Sequence, residues 1–233
     1  MEHTDTNRSL GTFYGVGVGP GDPELLTLKA VRILERCPVL AAPRTAAGET
    51  TALDIARQVI DLEGKVLLPL SFSMSRDPEV LRAAHRTAAD AVRPHLEAGQ
   101  DVAMAILGDV SLFSTYCYLM DLLVAQGFSC TMVPGVPSFC AVAARLGRSL
   151  TRADAPLHIL PGREAEEFLD LPGTKVLMKS GQDYPRLLEE LDRRGLSAQA
   201  GMVENCGLPG ERVFPSLEGR PASSGYFTTI LLP

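Results

Sequence analysis

A nine-residue loop, GVGVGPGDP at positions 15–23, joins an apolar run to the helix-like segment ELLTLKA at 24–30. Glycines let a backbone pass close to a ligand, while the prolines and Asp22 fix the turn and start the next helix. Such a loop reads as a site and not as a spacer. Two more loops repeat the arrangement: GDVS at 108–111 follows VAMAIL at 102–107, and PGVPS at 134–138 follows CTMV at 130–133. An apolar strand, a tight loop and a helix, repeated, are the parts of a parallel sheet with crossover helices. Loops gathered at the carboxyl ends of its strands suggest one ligand crevice.

The hydrophobic pattern extends that reading to an α/β fold. Strand-like runs cover residues 12–18, 38–42, 65–70 and 102–107, separated by helical segments at 24–36, 51–62 and 77–98. The third helix opens on Asp77 as a cap and Pro78 at its first turn; Leu81, Ala84, Ala88, Ala91 and Val92 form its apolar stripe. Gly99 ends it, and Pro94 is expected to kink its last turn. A helix at 113–125 leads to strand-like runs at 131–133, 157–160, 175–178, 200–203 and 225–232, with helices only at 139–145 and 184–194. So few helices predict a mixed second sheet, closed by an antiparallel pair around 211–217 and 226–232. The expected junction lies near Phe113, giving α/β domains at 1–113 and 114–233.

At 233 residues and 45% hydrophobic content, the chain can bury a sizeable core as one large or two small domains. Its apolar runs are strand-length, so no membrane span is expected, and residues 1–9 lack the apolar core of a signal peptide. The expected location is the cytoplasm. Five cysteines form no CxxC pair and are odd in number, which argues against a disulfide framework and a zinc site; no metal is expected. A net charge of −6 argues against nonspecific nucleic-acid binding, which needs a basic face.

The first loop fails two better-known nucleotide patterns. Counting G-x-G-x-x-G from Gly15 puts Pro20 at the sixth position, and counting from Gly17 puts Asp22 there. A phosphate loop needs a lysine, and none lies between Gly15 and Pro23. Asp109 follows a buried-type strand directly, so its carboxylate is placed to meet a ligand ammonium or a substrate proton, or else to cap the helix from Leu112. Asp22 has the same two readings. Arg44, Arg76, Arg145, Arg148 and Arg152 lie near loop ends, where guanidinium groups bind carboxylates bidentately; Arg44, directly after a strand, is the leading candidate. His85 and His158 read as structural.

The three loops together resemble the tetrapyrrole methyltransferases of the cobalamin and sirohaem pathways. The stretch GVGPGDPELLTLKA at 17–30 is similar to that family's amino-terminal signature, and VPG at 133–135 to its mid-chain one. Three segments, GDVSLFST at 108–115, PSFCA at 137–141 and HILPG at 158–162, look most like the C(20)-methylating branch. The resemblance implies a two-domain fold with S-adenosylmethionine in a cleft between the domains, a reduced tetrapyrrole substrate and a homodimer. It carries cofactor contacts onto Pro20, Leu107, Gly108, Asp109, Leu112, Pro137, Ser138, Met178 and the backbone at Cys206. Asp109 and Asp22 would serve catalysis, and Arg44, Gly19 and Gly21 the substrate. Where relatives that act on uroporphyrinogen carry an aspartate after the second strand, this chain has Pro43, which argues against that substrate. A sibling enzyme methylating another macrocycle carbon, a protein methyltransferase resembling diphthine synthase, and a noncatalytic nucleotide-binding module are the alternatives.

Overall fold

The computed structural model describes residues 9–45 and 48–233; most of the polar start, 1–8, lies outside them. The chain divides into two compact units, Met1–Val136 and Pro137–Pro233. In the first, β1 (Thr12–Gly17), β2 (Val39–Arg44), β3 (Val66–Ser71), β4 (Val102–Ile106) and β5 (Ser129–Val133) form a parallel sheet in the order β3-β2-β4-β1-β5. Every residue of β4 is buried, as expected for a central strand covered on both faces.

The connecting helices are α1 (Leu28–Arg36), α2 (Thr51–Ala56), α3 (Pro78–Glu97) and α4 (Tyr116–Val124). From β1 to β2 to β3 the chain steps one way across the sheet; from β3 to β4 to β5 it steps back. Crossovers are right-handed, so α1 and α2 cover one face and α3 and α4 the other, and α3 packs directly on α4. The core on that second face joins Phe13, Met104, Val92, Leu96, Tyr116 and Leu119.

Two expectations are corrected here. The helix expected over 24–36 is interrupted: a 3-10 turn at Pro23–Leu25 ends at the extended residue Leu26, and α1 starts afresh because Thr27 accepts a hydrogen bond from Ala30 N (3.1 Å). Helix α3 opens on Asp77 as expected and runs through Pro94 to Glu97. The junction falls at Val136 and not near Phe113. Strand β5 pairs with β1 from Thr12↔Ser129 to Val16↔Val133, and α4 buries Tyr116, Leu119 and Leu123, so both belong to the first unit.

The second unit contains α5 (Ser138–Leu146), β6 (Leu157–Pro161), β7 (Thr174–Met178), α6 (Tyr184–Arg193), β8 (Gly201–Glu204), β9 (Arg212–Phe214) and β10 (Thr228–Leu232). Its sheet has the order β6-β7-β10-β8-β9 and is mixed, with β6 and β7 parallel and the other pairs antiparallel. The closing pair expected around 211–217 and 226–232 does not form. Strand β10 is wholly buried between β7 and β8, while β9, only three residues long, takes the edge beside β8.

Candidate functional site

The reversal in direction across the first sheet leaves β1 and β4 side by side with their following helices on opposite faces. That is the switch point at which an open α/β sheet forms a crevice beyond its carboxyl ends. The loops after β1 and β4 are joined there: Gly108 N–H donates to Gly19 O (2.7 Å) and Gly19 N–H to Gly108 O (3.2 Å). Val18 N–H donates to Ile106 O (2.9 Å) just before them.

The loop after β5 closes against this pair. A Cβ built on Gly17 would lie 2.6 Å from Gly135 N and 2.7 Å from Gly108 O, and one on Gly135 would strike Gly108 O and the backbone of Gly17. Glycine is required at both positions because the three loops touch backbone to backbone, a reason different from approach to a ligand.

Asp109 sits at the centre of this arrangement. Its Oδ2 accepts from Gly135 N (2.8 Å), and its Oδ1 accepts from Ser111 N (2.8 Å) and from the Ser111 hydroxyl. Partial burial raises the carboxyl pKa, but the bonds from the Ser111 side chain and from the Gly135, Ser111 and Val110 N–H groups outweigh it and hold the group below the ordinary carboxylate range. Asp22 caps the 3-10 turn, its Oδ1 accepting from Glu24 N (2.9 Å). Pro20, Gly19, Gly21 and Gly108 are buried, and Leu107 and Leu112 half-buried, on the same loops.

Beyond Ser111 the chain is strained, since Phe113 takes a left-handed backbone (φ 51°). Its other end is anchored by Tyr116, whose fully buried hydroxyl donates to Phe13 O (3.0 Å) and Thr131 O (3.2 Å), tying β1 to β5.

Arg44 ends β2 and is exposed; its Nη2 donates to Ser71 Oγ (3.2 Å) at the paired end of β3. Among the described residues it has no carboxylate partner. Two other arginines considered for a basic lining are already committed. Arg145 pairs with Glu211 (2.9 Å), and Arg148 donates to Gln199 O and Pro215 O (2.6 Å each). His85 stacks on Tyr118 at 4.4 Å, and His158 bonds Pro172 O at 2.9 Å, in keeping with structural roles.

In the second unit the candidate residues gather at one end of the central strands β7, β10 and β8. Ser138 opens α5 behind Pro137, and its Oγ lies 3.5 Å from Thr229 Oγ1; Thr229 pairs with Met178, the last residue of β7. Cys206 follows β8, where burial pushes its thiol pKa up, so the group stays protonated at neutral pH. Sequence reasoning missed Thr229. It also missed Lys179 and Asn205, non-glycine residues with φ of 54° and 49° that flank Met178 and Cys206 directly. Lysine carries no signal for a left-handed conformation, so only the dihedral angle reveals Lys179, whereas Asn205 is of a residue type enriched there and could have been flagged from sequence.

The model of the Tetrapyrrole (Corrin/Porphyrin) Methylases matches residues 12–221. The cobalt-precorrin-2 C(20)-methyltransferase of Salmonella typhimurium is 34% identical over 95% of this chain and 96% of its own. The cobalamin biosynthesis protein CobIJ of Mycobacterium tuberculosis is 32% identical over 96% of this chain, which spans only 46% of that longer relative. A solved uroporphyrin-III C-methyl transferase from Thermus thermophilus, complexed with S-adenyl homocysteine, superposes with a TM-score of 0.68 at 25% identity, covering 95% of this chain and 92% of that one.

Proposed function

The chain belongs to the tetrapyrrole (corrin/porphyrin) methylases, and from that membership we propose an S-adenosylmethionine-dependent C-methyltransferase acting on the C-20 meso carbon of precorrin-2 or cobalt-factor II in cobalamin biosynthesis. The observation that carries the reading is the joining of three strand-end loops at the β1–β4 switch point, together with end-to-end similarity to a C(20)-methyltransferase.

Bound S-adenosylmethionine supplies an electrophilic sulfonium methyl group. The residues present suit such a ligand: the loops offer a rigid, largely backbone surface, and no redox or metal chemistry is asked of them. By resemblance to the family, Pro20, Leu107, Gly108, the Asp109 backbone, Leu112, Pro137, Ser138, Met178 and the Cys206 backbone would contact the cofactor. The electron-rich macrocycle carbon needs no protein nucleophile, so the chain would mainly align the two reactants, which can supply much of a rate enhancement, and then remove the proton that the methylated carbon gives up. Asp22 and Asp109 spend their carboxylates on backbone N–H groups, which suits both to fixing loops. Gly19 and Gly21 would border the substrate, and Arg44 would meet a peripheral carboxylate bidentately. The same reading carries a homodimer and a cytoplasmic location. Among the described residues no helix is long and apolar enough to cross a membrane.

Calorimetry with S-adenosylhomocysteine tests the cofactor assignment. One site per chain is expected; absence of heat and of any thermal shift at millimolar ligand would overturn it.

A further inference from the structure

We propose that Asp109 is a positioning residue, tying the loop after β4 to the loop after β5 so that their backbone is already in place when the cofactor arrives. This deepens the methyltransferase reading and rests on it. A carboxylate offers about four acceptor sites. Three donors from the chain itself lie at 2.5–2.8 Å from the Asp109 carboxylate, Gly135 N–H, Ser111 N–H and the Ser111 hydroxyl, and Val110 N–H adds a weaker contact that also favours the ionised form. The bond to Gly135 is the one that reaches across the fold, spanning 26 positions in sequence. It holds Gly135 where its backbone touches Gly17 and Gly108, so a single side chain braces all three loops. Charge-assisted bonds to backbone N–H groups are stronger than neutral ones, and the depressed pKa keeps the acceptor ionised at neutral pH. A group so committed has little capacity left for a ligand ammonium. Its effect on the cofactor passes through the shape of the loops.

The bond predicts slow exchange of the Gly135 amide, read by NMR on the full chain without ligand. Asp109→Ala should accelerate that exchange by about tenfold or more, because the donor loses a charged acceptor. Asp109→Asn, which keeps one carbonyl oxygen, should restore part of the protection, and Ser111→Ala should leave Gly135 protected. Ligand affinity supplies the second measurement, using S-adenosylhomocysteine and an analogue without its α-amino group. Positioning predicts that Asp109→Ala weakens both ligands by the same factor. Unchanged Gly135 exchange in the variant, or a loss confined to the amine-bearing ligand, would overturn the proposal. Should the wild type bind neither ligand, the methyltransferase reading fails while amide exchange still decides the brace. If the alanine variant does not fold, Asp109→Asn carries both measurements.

Discussion

Gly17 and Gly135 stand 118 positions apart in sequence and in contact in space. Their loops were legible as glycine-rich strand ends, but the reason for the glycines was not. A sequence displays a missing side chain and conceals what occupies its place, which here is another loop's backbone. Asp109 shows the same limit: its position after a buried strand marked it, while the acceptance from Gly135 depends on a loop no local pattern connects to it. Its ionisation gives a test at this scale. The folded carboxyl titrates below its unfolded counterpart, so it stabilises the fold above the ordinary aspartate pKa of about 3.9. That contribution is lost as pH falls through the lower, folded value. Denaturant midpoints of the wild type and Asp109→Asn should differ at neutral pH, begin to converge as pH falls through about 3.9, and meet below the folded value; a constant gap down through the acid range would show that the ionised carboxylate does not brace the loops.

Alternation of strands and helices in the first unit was readable because apolar runs of strand length are separated by helical segments and bounded by turn residues. The failures came where tertiary packing decides. Strand β5 and α4 were separable from the first sheet on sequence grounds, yet β5 supplies that sheet's edge beside β1. The position of β10 between β7 and β8 could not be read from its neighbours in sequence, since β9 is too short and exposed to compete for a central place. Tyr116 binds these elements together: it starts α4, packs on Phe13 and bonds carbonyls of β1 and β5. Tyr116→Phe keeps the ring and removes the hydroxyl, whose single proton the carbonyls of Phe13 and Thr131 share. The expected cost is about 1–3 kcal/mol of stability in chemical denaturation. A loss under about 0.5 kcal/mol would mean those carbonyls are adequately served by the strand ladder alone.

For the whole molecule the unsolved tension is electrostatic, because a chain of net charge −6 is assigned a polycarboxylate substrate. Local positive charge must then outweigh the global field. Arg44, exposed, bonded to Ser71 and without a carboxylate partner among the described residues, is the residue we propose to supply it. Arg44→Glu should raise the Michaelis constant for the tetrapyrrole by about tenfold or more while cofactor affinity barely moves. The effect should shrink at high salt if it is long-range attraction, since screening acts over about 8 Å at physiological ionic strength. An unchanged constant at both salt concentrations would remove Arg44 from the substrate site. The central claim, methylation at one defined carbon, is met most directly by incubating the purified chain with methyl-labelled S-adenosylmethionine and either precorrin-2 or cobalt-factor II, then locating the label by carbon-13 NMR. The account predicts one labelled methyl at C-20 of at least one of the two substrates; label at another macrocycle carbon, or no transfer to either, would contradict it.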